Sequence, residues 1–257
     1  MLLTIDIGNT SIKLGIFECN KIKTHWQLAT DLNRQADEYG VLLLTLLRNK
    51  NIEVSGIDGV VFCSVVPPLV STFQQAIRNY FGISPMIVEA GIKTGVRICV
   101  ENPRELGADR VVNAVAAHYL YHEPAIVIDL GTATTFDVIS KNGDYLGGVI
   151  APGVSIASEA LVRRTAVLPR IEFTEPKEVI GKNTISAMQS GIFFGYIGLI
   201  ENIVKHIEQE LAYKTMVVAT GGYAQLIARI PVIEKVEPNL TLIGLQLIYE
   251  KNKVEGT

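Results

Sequence analysis

One ten-residue pattern occurs twice in this chain, half the molecule apart, and it constrains the fold more than any other feature. The two copies read LTIDIGNTSI at 3–12 and IVIDLGTATT at 126–135. Asp6 aligns with Asp129, and Gly8 aligns with Gly131. In each copy an apolar strand ends in Asp-x-Gly, and small hydroxyl-bearing residues follow. The repeat predicts two related halves that each begin with a strand and a glycine turn.

Turns of this kind can hold phosphate groups. Glycine lets the backbone approach an anion closely, hydroxyl and amide side chains donate hydrogen bonds to it, and the carboxylate can hold a cation. We therefore expect two facing turns to form a nucleotide cleft between two similar domains. Each turn alone is also typical of an ordinary hairpin, but the matched repeat and a third glycine turn at 220–223 (TGGY) favour nucleotide binding.

The same order of elements is predicted twice along the chain. Strands are expected at 2–7, 12–18, 59–64 and 85–88, and again at 125–130, 135–139, 145–151 and 216–219. Helices are expected at 32–50, 67–80 and 111–121, then from 153 to about 163 and at 184–211. This pattern predicts two α/β domains of common ancestry, residues 1–122 and 123–257.

Composition limits the classes of partner. The chain has 257 residues, of which 48% are hydrophobic and 19% charged, so that it can build sizeable cores. Its net charge is −3, and it contains no run of Lys or Arg. These values argue against nucleic acid or an anionic membrane as the main partner.

Targeting signals are not expected. The sequence enters a strand-like segment at once, without the basic region of a secretory leader. The most apolar helical stretch, residues 185–200, is too short to span a bilayer. Cys19, Cys63 and Cys99 are odd in number and far apart, which favours reduced thiols in a cytoplasmic protein.

A Gly-Ala-Asp-Arg segment at 107–110 opens the predicted Val/Ala-rich helix. In one interpretation Asp109 caps the helix and Arg110 is solvated. In the other, Asp109 is the general base for a substrate hydroxyl, and Arg110 grips a carboxylate or a phosphate. The local sequence leaves both open.

Glycines recur at helical spacing along the long helix predicted at 184–211. Gly191, Gly195 and Gly198 fall on one stripe. Such a stripe favours close packing with another helix, either within the protein or across a dimer interface.

Taken together, these motifs resemble those of the type III pantothenate kinases, over nearly the whole chain. The matching segments are D-I-G-N-T at 6–10, N-P-x-E-x-G-A-D-R at 102–110, D-x-G-T-A-T-T-F-D at 129–137, G-G-x-I-x-P-G at 147–153, R-T-A-x-L-P at 164–169 and T-G-G at 220–222. The resemblance implies the duplicated actin-like, sugar-kinase-like ATPase fold. It also implies transfer of the ATP γ-phosphate to the primary hydroxyl of pantothenate, the first step of coenzyme A synthesis.

The resemblance also implies roles for individual residues. Asp109 would be the catalytic base, and Asp129 would hold a monovalent cation, K⁺ or NH₄⁺. The ATP phosphates would contact Asp6, Ile7, Gly8, Asn9, Thr10, Ser11, Ile12 and Lys13, with a further contact from Thr132. Pantothenate would contact Val100, Gly107, Ala108, Asp109, Arg110 and Thr184. A divalent ion, Mg²⁺, would accompany ATP, and the protein would be a homodimer.

One position departs from the family pattern. Two residues before Asn102-Pro103, where many members carry Tyr, this chain has Val100. The substitution removes one expected aromatic contact to pantothenate and leaves every implied catalytic role in place.

Two other functions are compatible with the glycine turns. The first is another enzyme of the same fold, such as a sugar kinase or a polyphosphate-type phosphatase, against which the G-A-D-R segment and the short chain argue. The second is a nucleotide-binding regulator that acts as a transcriptional accessory factor. The acidic composition argues against direct DNA contact by such a regulator.

Overall fold

The computed structural model describes residues 1–253, which form two compact units. The first unit contains residues 1–97, 101–116 and 240–253, and the second contains residues 98–100 and 117–239. Each unit is built around one five-stranded mixed sheet.

The first unit places its sheet between helices. Its elements are β1 (Leu2–Ile7), β2 (Ser11–Glu18), β3 (Lys21–Ala29), α1 (Ala36–Arg48), β4 (Gly59–Ser64), α2 (Pro67–Phe81) and β5 (Met86–Ile87), followed by α3 (Ala108–Tyr121). The strand order is β3-β2-β1-β4-β5. The central strand β1 pairs antiparallel with β2 and parallel with β4.

The second unit repeats this arrangement strand by strand. Its elements are β6 (Ala125–Leu130), β7 (Ala133–Ile139), β8 (Tyr145–Pro152), α4 (Val154–Arg164), α5 (Thr184–Leu211), β9 (Met216–Thr220) and β10 (Lys235–Val236). The last helix, α6 (Leu240–Lys253), follows β10 in the chain and belongs to the first unit. The strand order is β10-β9-β6-β7-β8, with β6 antiparallel to β7 and parallel to β9. Thus β6 corresponds to β1, β7 to β2 and β9 to β4, which confirms the predicted duplication.

Apolar residues on one face of each sheet form its core. In the first unit Leu3, Ile5 and Ile7 of β1 belong to a cluster with Leu43 of α1 and Phe73 of α2. In the second unit the corresponding residues of β6 pack with α5 and α4. Because β1 and β6 are central strands covered on both faces, they read as nearly continuous hydrophobic runs.

The last helix covers the other face of the first sheet. Helix α6 contacts β1, β2 and β4, and Leu242 lies against Gly15 of β2, where an added Cβ would be 3.1 Å from its Cδ1 atom. Helix α3 also crosses α6 closely, since a Cβ at Gly244 would overlap the Val112 carbonyl. The division predicted at residues 122 and 123 therefore differs from the compact units, because this face of the first sheet is covered by a helix from the end of the chain.

Strand β3 is absent from the sequence-based prediction. Its residues alternate between exposed and partly buried positions, as expected for an edge strand with one wet face. The polar residues of the wet face, including Lys21 and His25, hide the strand pattern in the sequence.

No helix within residues 1–253 is both long and apolar enough to cross a membrane.

Candidate active site

The first glycine turn connects β1 to β2 and is held in place by Thr30. The Gly8 N–H donates to the Ser11 carbonyl at 3.1 Å. The Thr30 hydroxyl donates to the Gly8 carbonyl at 2.6 Å, and the Thr30 N–H donates to the Thr10 carbonyl at 3.1 Å. Asn9 and Thr10 remain exposed. Thr30 therefore holds the backbone of the turn, while the side chains of Asn9 and Thr10 face solvent. The sequence repeat does not indicate this role of Thr30.

Asp6, at the end of β1, lies between two functional groups on neighbouring strands. It pairs with Lys13 on β2 and with Cys63 on β4, so that all three side chains emerge on the same face of the sheet. The Cys63 thiol donates a hydrogen bond to Asp6, with 3.5 Å between Sγ and Oδ1.

Asp109 lies in the first turn of α3, which begins at Ala108. Its Oδ1 atom accepts a hydrogen bond from the Arg110 N–H at 2.9 Å. A Cβ on Gly107 would lie 2.5 Å from the same oxygen, so a larger residue at this position would have to displace the carboxylate. The Arg110 N–H also donates to the Gly107 carbonyl at 3.1 Å, so the carboxylate shares a donor of the helix end that has a second acceptor. The Asp109 side chain stays partly accessible.

Cys63 connects these two acidic residues. Burial raises the pKa of its thiol well above the ordinary value of 9.0, and the negative charges of Asp6 and Asp109 raise that pKa further. Both carboxylates therefore lie close enough to act on one thiol. The first unit brings the phosphate-type turn together with the Gly-Ala-Asp-Arg segment. The motifs in the sequence do not indicate Cys63 as part of this site. A parallel pairing of the predicted strands at 2–7 and 59–64 would have placed it beside Asp6.

The second glycine turn is one residue shorter than the first. Gly131 and Thr132 separate β6 from β7, and the Gly131 N–H donates to the Ala133 carbonyl at 3.0 Å. Gly153 packs against this turn, since a Cβ there would overlap the Thr132 carbonyl. The shorter turn shifts the register, so that Thr135 of β7 pairs with Asp129.

Asp129 lies among small residues at the end of β6. A Cβ on Gly221 would be 2.5 Å from its Oδ1 atom, and Gly221 has a φ of +93°, which glycine adopts without strain. Thr220 is the partner of Asp129 on β9 and emerges on the same face. No described residue forms a hydrogen bond with the Thr220 hydroxyl, although it is buried. A buried hydroxyl without a partner beside a carboxylate points to a bound group there.

The predicted pantothenate contacts Val100 and Thr184 both lie in the second unit. The segment before Val100 is fixed by a bond from the Cys99 N–H to the Tyr145 carbonyl, 2.8 Å long. Thr184 is the exposed first residue of α5, after Asn183, whose side chain accepts the Ser186 N–H at 2.9 Å.

The predicted site residues therefore divide between the units. Those in the first unit are residues 6–13 and 107–110, and those in the second are Val100, Asp129, Thr132 and Thr184. Within residues 1–253, no group of three or more His, Cys, Asp and Glu side chains is arranged to hold a metal ion.

Comparison with known proteins identifies the family. The model of the type III pantothenate kinases matches residues 2–206. The chain belongs to this family. A type III pantothenate kinase of Dehalococcoides mccartyi is 52% identical over 254 residues, which cover 98% of this chain and 97% of the relative. Family membership confirms the resemblance carried by the motifs.

Solved structures support the fold independently. A Campylobacter jejuni protein described as a Baf family transcriptional activator aligns with a TM-score of 0.61 at 20% identity, over 98% of this chain and 99% of that one. The activator of the 2-hydroxyisocaproyl-CoA dehydratase from Clostridium difficile, with bound ADPNP, aligns with a TM-score of 0.55 at 12% identity, over 100% and 98%. At these identities the likeness concerns the fold alone, which is the predicted duplicated actin-like and sugar-kinase-like fold.

Proposed function

We propose that this protein transfers the γ-phosphate of ATP to the primary hydroxyl of pantothenate, giving 4′-phosphopantothenate in the first step of coenzyme A biosynthesis. Family membership supports the reaction. The observation that carries it is the approach of Asp6 and Asp109 to the Cys63 thiol, because it brings a phosphate-type turn and a base into one unit. Phosphoryl transfer needs mainly such alignment, together with neutralisation of charge.

Asp109 is the general base in this proposal. The positive end of α3 and the bond from the Arg110 N–H both favour its ionised form. A carboxylate stabilised in this way is a weak base, so it accepts the proton only as the pantothenate hydroxyl becomes acidic in the transition state. A base of this kind contributes on the order of 10²–10⁴ in rate.

The first glycine turn binds the ATP phosphates in this proposal. Gly8 allows a close approach, while Asn9, Thr10 and Ser11 supply donors and Lys13 supplies a positive charge. Asp6, Ile7 and Ile12 complete the segment, and Thr132 of the second turn adds a contact. Mg²⁺ accompanies ATP in this proposal, because protein carboxylates and substrate phosphates are its usual ligands in sites of this kind.

In this proposal pantothenate binds to the Gly-Ala-Asp-Arg segment and to Val100 and Thr184. Arg110 suits the pantothenate carboxylate, because a guanidinium can donate two parallel hydrogen bonds to it. Gly107 and Ala108 allow a close approach to the helix end. Val100 offers a small aliphatic surface and lowers affinity relative to a tyrosine at this position.

Asp129 holds a monovalent cation, K⁺ or NH₄⁺, in this proposal. Its surroundings fit the ion, since the buried Thr220 hydroxyl lies beside it and no described residue hydrogen-bonds to that hydroxyl. Hydroxyl and carboxylate oxygens are suitable ligands for hard cations. The bound cation would supply positive charge near the phosphates that react.

The exposed face of α5 is the proposed homodimer interface. Apart from the chain neighbours and the nearby backbone of α5 itself, no atom of residues 1–253 lies within 4 Å of a Cβ built on Gly191, Gly195 or Gly198, so a partner helix can approach this stripe. Phe194 and Ile185 are 37% and 50% exposed near it. Burial of these side chains against a second copy would remove apolar surface from water.

A cytoplasmic location fits the cysteines. All three are free thiols, and Cys19 and Cys99 are exposed. Exposed free thiols persist in reducing compartments.

Release of ADP by the purified protein with Mg-ATP tests the proposed reaction. The acceptors are pantothenate, a panel of sugars, and none. Release that depends on pantothenate alone is expected. A sugar-dependent rate would favour another kinase of the fold. Bound ATP without turnover on any acceptor would favour the nucleotide-binding regulator, which the likeness to the Campylobacter jejuni protein keeps under consideration.

A further inference from the structure

The segment that carries Val100 attaches to the second sheet at Tyr145, on the outer strand β8. Ile98 forms a parallel bridge with Tyr145, and the Cys99 N–H donates to the Tyr145 carbonyl at 2.8 Å. Val100 is the next residue along the chain. Main-chain bonds to a sheet edge fix the register of the segment that makes them. The position of Val100, the proposed pantothenate contact, therefore depends on where Tyr145 lies.

A β-bulge determines the face of the sheet on which Tyr145 emerges. The ladder between β7 and β8 is regular up to the pair of Val138 and Gly147. The next pair is Ile139 and Tyr145, so Leu146 is an extra residue on β8. Gly147 has a φ of +136°, which glycine adopts without strain. Because side chains alternate along a strand, the extra residue moves Tyr145 from the core face, where Val138 lies, to the opposite face.

On that face the hydroxyl of Tyr145 is held by Asp137. The Tyr145 hydroxyl donates to Asp137 Oδ1 at 2.7 Å, and both side chains are buried. Oδ2 of the same carboxyl group accepts a hydrogen bond from the Thr135 hydroxyl at 3.3 Å. Gly148 pairs with Asp137 across the strands and has no side chain to occupy the space beside it. A hydrogen bond in the protein interior is stronger than one in water, so this bond fixes Tyr145 on the edge strand.

The first unit shows that the bulge does not require this bond. The same register shift occurs between β2 and β3, where Ile22 takes the place of Tyr145. Gly15 takes the place of Asp137, so the bond between the two side chains has no counterpart there. β3 is the outer strand of its sheet, whereas residues 98–100 attach outside β8. The polar pair therefore accompanies the attached segment and not the bulge.

We propose that Tyr145 is a positioning residue for pantothenate. Its bond to Asp137 fixes the edge of β8 to which residues 98–100 attach, and thereby the place of Val100. Tyr145 itself does not touch the substrate in this proposal. The inference rests on the proposed contact between Val100 and pantothenate, and it extends that contact to the residues that hold it in position.

Calorimetric titration of the full-length protein with pantothenate, in the presence of Mg²⁺ and a non-hydrolysable ATP analogue, tests this proposal. Tyr145→Phe removes the hydroxyl and keeps the ring. We expect the Kd of pantothenate to rise about 10-fold, which corresponds to the loss of one hydrogen bond to a buried carboxyl group. The Kd of the ATP analogue and kcat at saturating pantothenate should stay within about twofold of the values for the unmodified protein, because a misplaced binding contact affects substrate binding alone.

Tyr196→Phe is the matched control. Tyr196 of α5 is also buried, and its hydroxyl donates to the Pro152 carbonyl at 2.8 Å, at the other end of β8. The change removes a comparable bond from the same strand, away from Tyr145. The Kd of pantothenate should equal that of the unmodified protein. An equal rise in the two tyrosine variants would show a general loosening of the second unit and would overturn the inference.

Gly147→Ala tests the bulge without touching the hydroxyl of Tyr145. Apart from the two chain neighbours, no atom of residues 1–253 lies within 4 Å of a Cβ added to Gly147, so the effect of alanine lies in the strained φ of the backbone. This variant should also raise the Kd of pantothenate, and it decides the inference if Tyr145→Phe does not fold. An unchanged Kd would show that the bulge does not position the segment.

A double-mutant cycle shows whether Tyr145 acts through Val100. In a Val100→Ala background, Tyr145→Phe should raise the Kd of pantothenate less than in the unmodified protein, because the contact that it positions is already shortened. An equal rise in both backgrounds, or no rise in either, would overturn the inference and leave the proposed function in place. No binding of pantothenate by the unmodified protein would contradict both.

Discussion

The thiol of Cys63 donates a hydrogen bond to the carboxylate of Asp6, 3.5 Å from Sγ to Oδ1, at the point where two parallel strands end. The negative charge of Asp109 acts on the same thiol. A residue that carries no expected catalytic role therefore connects the phosphate-type turn to the proposed base. Its protonation state should be measurable.

Alkaline pH should reduce the stability contribution of Cys63. Burial and the two carboxylates raise the pKa of the folded thiol, while the unfolded thiol ionises near 9.0. The contribution is therefore complete below pH 9.0 and falls as pH rises towards the folded pKa, by about 1.4 kcal/mol per pH unit. The difference in unfolding free energy between the unmodified protein and Cys63→Ala should shrink accordingly.

Urea unfolding at pH 8, 9 and 10 measures this difference. Cys19→Ala removes an exposed thiol and serves as the control, with no pH-dependent change in the difference expected. A constant difference for Cys63→Ala across this range would contradict the buried, neutral thiol.

Replacement by alanine should have different effects at the two adjacent glycines of the third turn, Gly221 and Gly222. Gly221→Ala forces a side chain onto a φ of +93° and to 2.5 Å from Asp129 Oδ1, so it should displace the carboxylate. It should therefore remove the potassium response, which is the rise in Tm expected when KCl replaces choline chloride at constant ionic strength in a protein whose Asp129 binds the cation. Around Gly222, apart from its two chain neighbours, no atom of residues 1–253 lies within 4 Å of an added Cβ. Gly222→Ala should keep the response. Equal behaviour of the two variants in the thermal titration would argue against a constrained site at Asp129.

Gly195→Leu should separate the proposed dimer. The leucine has room in the single chain but would block close approach of a second α5 helix. Sedimentation equilibrium should give twice the chain mass of 28.1 kDa for the unmodified protein and the single-chain mass for the variant. Ser71→Leu, at an exposed position of α2, controls for the added apolar surface. A variant that remains dimeric would place the interface elsewhere.

Much of the fold could be predicted because its central elements carry strong local signals. The strand Gly59–Ser64 and the helix Thr184–Leu211 lie where the sequence predicts them. Both are long or apolar enough for one pattern to dominate. The glycine turns were also predictable, since Asp-x-Gly after an apolar strand has few alternative structures.

The remaining features depend on tertiary contacts that no local pattern contains. Helix α6 is buried on the first sheet, although the chain order places it after the second. The partner of Asp129 on β7 is set by the length of a turn, which shifts the pairing by one residue relative to the sequence repeat. Thr30, just past the end of β3, contacts the first turn, and Cys63 of β4 contacts Asp6 before it, so only the pairing of the strands identifies them.

Transfer of a labelled γ-phosphate from ATP to pantothenate tests the central claim most directly. The protein, Asp109→Asn and Glu105→Gln are compared in potassium buffer with Mg²⁺; Glu105 is an exposed carboxylate in the same segment. Labelled 4′-phosphopantothenate should form with the unmodified protein and Glu105→Gln, and on the order of 10²–10⁴ more slowly with folded Asp109→Asn. Near-normal transfer by Asp109→Asn would contradict the assigned base, and no transfer by the unmodified protein while it binds ATP would contradict the proposed function.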